Sequence, residues 1–247
     1  MSDTTIIAWT DRTWNPWRGC DKVSPGCAHC YMFTAQERYG QDPSTVIRSK
    51  SKWNDPLKWQ RAAAAAGRVE RIFTCSWSDW FHVDADPWRA EAWAIVRQCP
   101  NLHFQILTKR DDRIVSQLPA DWGEGYPNVW LGVSIENDRF TYRADRLRAI
   151  PAAVRFISAE PVLGPMPSLN LKRIDWLIVG GESGPNFRPM DHQWVRELRA
   201  KAKRAGTAFF FKQSAAPRTE MGITLDGEIV REYPTPRVIR LKAVGLF

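Results

Sequence analysis

The chain has no apolar run long enough to span a bilayer, and its first residues, Met1-Ser2-Asp3-Thr4-Thr5, lack the basic and apolar pattern of a secretory leader. Both absences point to a cytoplasmic protein with no membrane partner. Cysteine is scarce, five in 247 residues. In a reducing compartment these should be free thiols or metal ligands, not disulfides. Three of them, Cys20, Cys27 and Cys30, fall in the stretch Gly19 to Tyr31, and no fourth cysteine lies nearby. A closed structural zinc site normally has four protein ligands, whereas an iron–sulfur cluster on three cysteines leaves one iron open. Histidine is scarcer still. His82, His103 and His192 have no metal-binding spacing, and only His29, between two cysteines, is placed to be a fourth ligand.

Other features are abundant. With 44% hydrophobic residues the chain can bury a sizeable core. A net charge of +8 favours polyanionic partners. Of the thirteen Trp, most should be core. Trp9, Trp14 and Trp17 stand closest to the cysteine loop and are the best candidates to line a pocket.

Pro25 and Gly26 break regular structure between Cys20 and Cys27, so that segment should be a loop aiming several thiolates at one point. Residues 6–18 should supply a short strand before it, and a helix should run from Tyr31 to about Tyr39, ended by Gly40. Residues 41–55 read as a polar surface excursion, and Asp55-Pro56 opens a helix through Ala66. After Gly67, apolar runs recur at 71–75, 103–107, 129–133, 154–158, 176–179 and 208–211. Between them lie helical stretches at 87–98, 110–117, 138–149 and 191–205. This alternation is that of βαβ units, and predicts an α/β fold: a partial or complete (β/α) barrel of about six to seven parallel strands, with an open doubly wound sheet as the alternative. Residues 1–213 form that domain; 214–247 form a basic C-terminal extension with a hairpin at Ile223 to Val230, turned by Asp226-Gly227. The extension, with Arg218, Arg231, Arg237, Arg240 and Lys242, is expected to cover one barrel end.

The carboxyl ends of parallel strands face the active site. Here they carry Ser76, Ser78 and Asp79; Lys109 and Arg110; Ser134, Glu136 and Asn137; Glu160; Gly180-Gly181-Glu182; and Lys212. Capping accounts for Asp138 and Asp191 but does not call for Glu160 before a proline or for Lys109 beside Arg110. Gly180-Gly181-Glu182-Ser183-Gly184 could bring backbone N–H groups to a carboxylate or phosphate. Glu136 and Glu160 could act as a proton-transfer pair or bind an ammonium or ribose hydroxyls.

These strand ends and the segment Cys27-Ala28-His29-Cys30-Tyr31 resemble the phage-associated three-Cys-motif proteins, a family without a settled activity, over roughly residues 6–213. More distantly the chain resembles the radical S-adenosylmethionine (SAM) superfamily, in which a partial barrel holds a [4Fe-4S] cluster on three cysteines after the first strand. That resemblance implies reductive cleavage of SAM to a 5′-deoxyadenosyl radical, which takes a hydrogen atom from a substrate held over the barrel. It implies Cys20, Cys27 and Cys30 as metal ligands and an electron donor such as flavodoxin or ferredoxin. Tyr31, Ser76, Ser78, Asp79, Ser134, Glu136 and Asn137 would contact SAM, and Gly180, Gly181 and Glu182 are further cofactor candidates. Lys109, Glu160 and Lys212 are the candidates for catalysis. The spacing departs from the superfamily's usual one, since Cys20 and Cys27 enclose six residues, and Gly180-Gly181-Glu182 follows a later strand than the superfamily's Gly-Gly-Glu.

The charge and Trp content suggest a nucleic acid or nucleotide substrate, for base modification or repair. An alternative is a zinc-stabilised nucleic-acid-binding protein without catalysis, with His29 or Cys75 as the fourth ligand. A third is a hydrolase built on Glu136 and Glu160.

Overall fold

Strands buried on both faces read as near-continuous apolar runs, and that is what the segments after Gly67 become. The computed structural model describes residues 5–239, so Met1–Thr4 and the extension's Arg240 and Lys242 lie outside the described residues. The elements are β1 (Arg12–Trp14), β2 (Trp17–Arg18), α1 (Tyr31–Arg38), β3 (Ile47–Arg48), α2 (Asp55–Ala65), β4 (Glu70–Thr74) and α3 (Asp86–Arg97). They continue with β5 (Leu102–Thr108), β6 (Val129–Ser134), α4 (Tyr142–Arg148), β7 (Val154–Ala159), β8 (Trp176–Gly180), α5 (His192–Ala205) and β9 (Ala208–Gln213).

Strands β1 and β4 to β9 pair in chain order, every pair parallel, as a seven-stranded sheet. It forms a half-barrel. The excursion over residues 41–55 contributes β3, which pairs antiparallel with β2. Outward residues such as Ile72, Phe104, Leu131, Ile157, Leu177 and Phe209 join the helices in the main core. A separate aromatic cluster of Trp9, Trp130, Phe156, Trp176 and Phe210 fills the concave face near the amino ends of the strands. Gly132 makes this possible, because a Cβ there would collide with the Phe156 ring. Beyond the filled floor, the carboxyl end of the half-barrel is hollow.

Two expected helices are shorter than the sequence pattern suggests. Residues 110–117 form two 3-10 turns, Asp111–Arg113 and Val115–Gln117. Arg113 is drawn to the Phe81 carbonyl and Asp86, and Leu118 is extended before Pro119, which stops helix growth. Residues 138–140 are likewise a 3-10 turn, capped by Asn137, before α4 begins at Tyr142.

In the extension, Asp226 (φ 53°) and Gly227 (φ 84°) make the expected hairpin turn, but it closes only one bridge, Leu225 to Glu228. The chain then pairs antiparallel with β9 at Phe210 and Arg231 and stacks Tyr233 on Trp176 and Phe210, covering the floor of the barrel. Arg231 and Arg237 are paired with Glu220 and Asp175. Among the described residues no helix is long and apolar enough to cross a membrane.

Candidate functional site

The cysteine loop is fixed from both sides. Gly19, at φ 94°, donates its N–H to the Trp77 carbonyl and accepts from the Ser78 hydroxyl through its own carbonyl. Pro25–Cys27 is a single 3-10 turn, and Cys30 is the N-cap of α1, so Cys27 and Cys30 straddle the entry to the helix. The Ser24 hydroxyl donates to Glu136, and Gly26 lies so close that a Cβ would sit 2.6 Å from the Glu136 side chain. Glu136 is fully buried and pairs with Arg143 at 3.2 Å. It therefore anchors the loop from beneath and does not line the cavity.

All three thiols are partly exposed at the mouth of a cavity of about 640 Å³ in the hollow end of the half-barrel. Burial raises the Cys20 pKa to about 12, with Asp79 adding to it and Arg110 opposing; burial also raises Cys30, with Lys109 among the opposing groups. Cys27 is near enough to both to raise them electrostatically. Unliganded, Cys20 and Cys30 are protonated at neutral pH, so any metal must displace their protons.

The cavity gathers most of the expected strand-end residues. Ser76, Ser78, Asp79 and Lys109 line it from β4 and β5, Ser134 and Glu160 from β6 and β7, and Gly181, Glu182 and Lys212 from β8 and β9. Tyr31 lines it too, and its hydroxyl donates to the Ser76 carbonyl at 2.5 Å. Lys212 and Glu160 form an ion pair inside the cavity. Ser134 and Ser158 are register partners whose side chains share the concave face. Leu107, Phe73 and Met32 give the cavity apolar walls.

Several expected ligand contacts are already committed within the protein. The Asp79 carboxylate accepts from the Thr108 hydroxyl (2.7 Å) and from the N–H groups of Lys109 (3.0 Å) and Phe81 (2.9 Å). Asn137 spends its side-chain oxygen capping the Arg139 N–H and lies off the cavity. Gly180 packs on Glu160, and a Cβ at Gly181 would collide with the backbone of residues 214–215. These glycines permit close packing. Glu182 takes two bonds from the Arg188 guanidinium, one from the Arg188 N–H and one from His29. Burial works to raise its pKa, but Arg188 and His29 outweigh it and lower it to about 2. Trp14 and Trp17 are core residues, and of the three tryptophans nearest the cysteines only Trp9 borders the cavity.

Among the residues that sequence alone missed are Ser24 and Arg188. Each is a short-range polar partner of a residue far along the chain or around a tight turn, with no periodic signal of its own.

The donor set fits an iron–sulfur cluster: three thiols on one loop, cations nearby, and an adjoining cavity within the roughly 300–1,000 Å³ usual for small-molecule sites. Cluster thiolates bind different irons and need not converge on one point. A single zinc ion requires convergence, and among the described residues no three His, Cys, Asp or Glu side chains gather to hold one ion. His29, one of the two expected fourth ligands, has its Nδ1 3.0 Å from Glu182. The hydrolase alternative fails on geometry, because Glu136 is sealed beneath the loop while Glu160 faces the cavity.

Residues 4–234 match the sequence model of a family described as "Protein of unknown function (DUF5131)". No curated protein matches the chain in sequence. Among solved structures, spore photoproduct lyase complexed with dinucleoside spore photoproduct is similar at 13% identity and a TM-score of 0.51, over 82% of this chain and 64% of that one. A mutant of spore photoproduct lyase with bound AdoMet and dinucleoside spore photoproduct is similar at 11% identity and a TM-score of 0.50, over 83% and 64%. The chain thus spans 64% of the length of these structures, and the likeness is one of fold. It supports the half-barrel fold expected from the sequence.

Proposed function

Because the chain belongs to the DUF5131 family, whose description assigns no activity, we propose a function from the site itself: a radical-SAM-like [4Fe-4S] enzyme acting on a nucleic acid or nucleotide. The observation that carries this reading is the placement of Cys20, Cys27 and Cys30 at the mouth of a half-barrel cavity lined by strand-end polar residues. The AdoMet and dinucleoside bound to the similar spore photoproduct lyase mutant support the cofactor and substrate class.

Cys20, Cys27 and Cys30 would hold the cluster, leaving one iron for the amino and carboxylate groups of SAM. When bound, the pair supplies one-electron cleavage of SAM and a 5′-deoxyadenosyl radical. Ser134 and Ser158, paired on the concave face, would donate to the ribose or methionyl part, and Tyr31, fixed on the Ser76 carbonyl, would border the adenine. The Lys212–Glu160 pair, within the cavity, would orient the substrate. Lys109 and Arg218 line the same cavity and would meet a substrate phosphate. The aromatic floor bounds the cavity on the side of the strands' amino ends and would shield the reaction space there.

Anaerobic reconstitution with iron and sulfide tests the ligand assignment. Wild-type protein should take up about four irons and turn brown, while Cys20→Ala, Cys27→Ala and Cys30→Ala should each lose most of that iron. Full iron in any single variant would remove that cysteine from the ligand set.

A further inference from the structure

Two adjacent cations at the end of β5 flank the cysteine loop. Lys109 lines the same cavity as Cys30, and Arg110 makes direct contact: its Nη2 is 3.9 Å from Cys20 Sγ and 3.4 Å from the Asp21 carbonyl. This placement is built into the fold. The buried Asp79 carboxylate fixes Thr108 through its hydroxyl and Lys109 through its N–H, and the Arg110 N–H donates to Thr108 Oγ1 at 2.8 Å. The neighbouring carboxylate of Asp111 is taken by Arg143 and Arg146, and among the described residues no carboxylate pairs with Arg110. Its Nε is also buried without a hydrogen-bond partner. The guanidinium thus keeps an unpaired charge at the sulfur of one proposed ligand.

We propose that Arg110 is a positioning residue that raises the reduction potential of the bound cluster through the Cys20 sulfur. This inference rests on the reading that the three cysteines hold a cluster. Reduction adds one electron and one negative charge to the cluster. A cation held at a ligand sulfur stabilises the reduced form more than the oxidised one, and a partly buried site screens that attraction less than bulk water does. Lys109, a flexible point charge without the planar fork, does not duplicate the contact.

The test uses the full chain, reconstituted anaerobically as wild type, Arg110→Gln and Arg110→Lys. Iron and sulfide content are measured first, then the midpoint potential by electron paramagnetic resonance during titration with dithionite. The expected result is equal cluster content, a more negative midpoint in Arg110→Gln, and a value between the two in Arg110→Lys. Equal midpoints at equal iron would overturn the inference while leaving the cluster reading intact. Absence of a cluster from the wild type would overturn the cluster reading instead, and this inference with it. Should Arg110→Gln assemble no cluster, Arg110→Lys carries the test: a midpoint below wild type supports the proposal, and an unchanged one refutes it.

Discussion

Glu136 sits under the cysteine loop, and the substitution Glu136→Gln tests whether it is an anchor or a cofactor ligand. Its carboxylate is fully buried and meets the Arg143 guanidinium, itself only 3% exposed, at 3.2 Å, while the Ser24 hydroxyl donates to it from the loop. Removing one partner of a buried ion pair costs about 3–5 kcal/mol, because the other charge is left without compensation. Arg143 retains Asp111 at 3.2 Å, which argues for the lower end, about 3 kcal/mol. For a chain of this size each kcal/mol moves the melting temperature by roughly 2–4 °C, so the variant should melt about 6–12 °C lower. The assay is thermal unfolding of metal-free protein followed by circular dichroism, with SAM binding to the reconstituted protein measured in parallel. An unchanged melting temperature together with lost SAM binding would place Glu136 in the ligand site and refute the anchoring account.

Gly26→Ala should act on the same contact from the other side, since the new Cβ meets a Glu136 side chain that cannot withdraw. Overpacking of this kind costs about 1–3 kcal/mol, and reconstituted iron content should fall with it; wild-type iron would show that the loop can yield. Lys212→Met leaves Glu160 without its cation and should cut turnover of any substrate at least tenfold while iron uptake stays at the wild-type level. Equal turnover would remove the pair from the reaction. Burial works to raise the pKa of Glu70, but the hydrogen bonds from Arg12 and Arg68 outweigh it and hold the carboxyl below its ordinary 4.5. A depressed folded-state pKa means stabilisation that is present above pH 4.5 and lost as pH falls through the folded value. Acid unfolding curves should therefore be less pH-dependent below pH 4.5 in Glu70→Gln, and curves parallel to wild type would contradict this.

The sheet was legible because its strands are buried on both faces, so that 154–158 or 176–179 reads as an unbroken apolar run. The cysteine loop was legible because Pro25 and Gly26 limit regular structure between the thiols to a single 3-10 turn. What the side chains do at the strand ends was less so. Glu136 and Glu160 occupy equivalent places in the pattern, yet one turns under the loop to Arg143 and the other into the cavity. The difference is made by Ser24 and Gly26, more than a hundred residues away. Asp79 looked like a ligand because it is acidic and follows a strand, but the Thr108 hydroxyl and the Lys109 N–H of the next strand end occupy its oxygens. Residues 110–117 have helical composition, and only tertiary anchors at Arg113 and the break at Pro119 shorten them.

The most direct test of the account is incubation of anaerobically reconstituted protein with SAM and dithionite, scored for 5′-deoxyadenosine by mass spectrometry. The account predicts 5′-deoxyadenosine from the wild type and none from Cys30→Ala. An intact iron–sulfur cluster that yields none would contradict it.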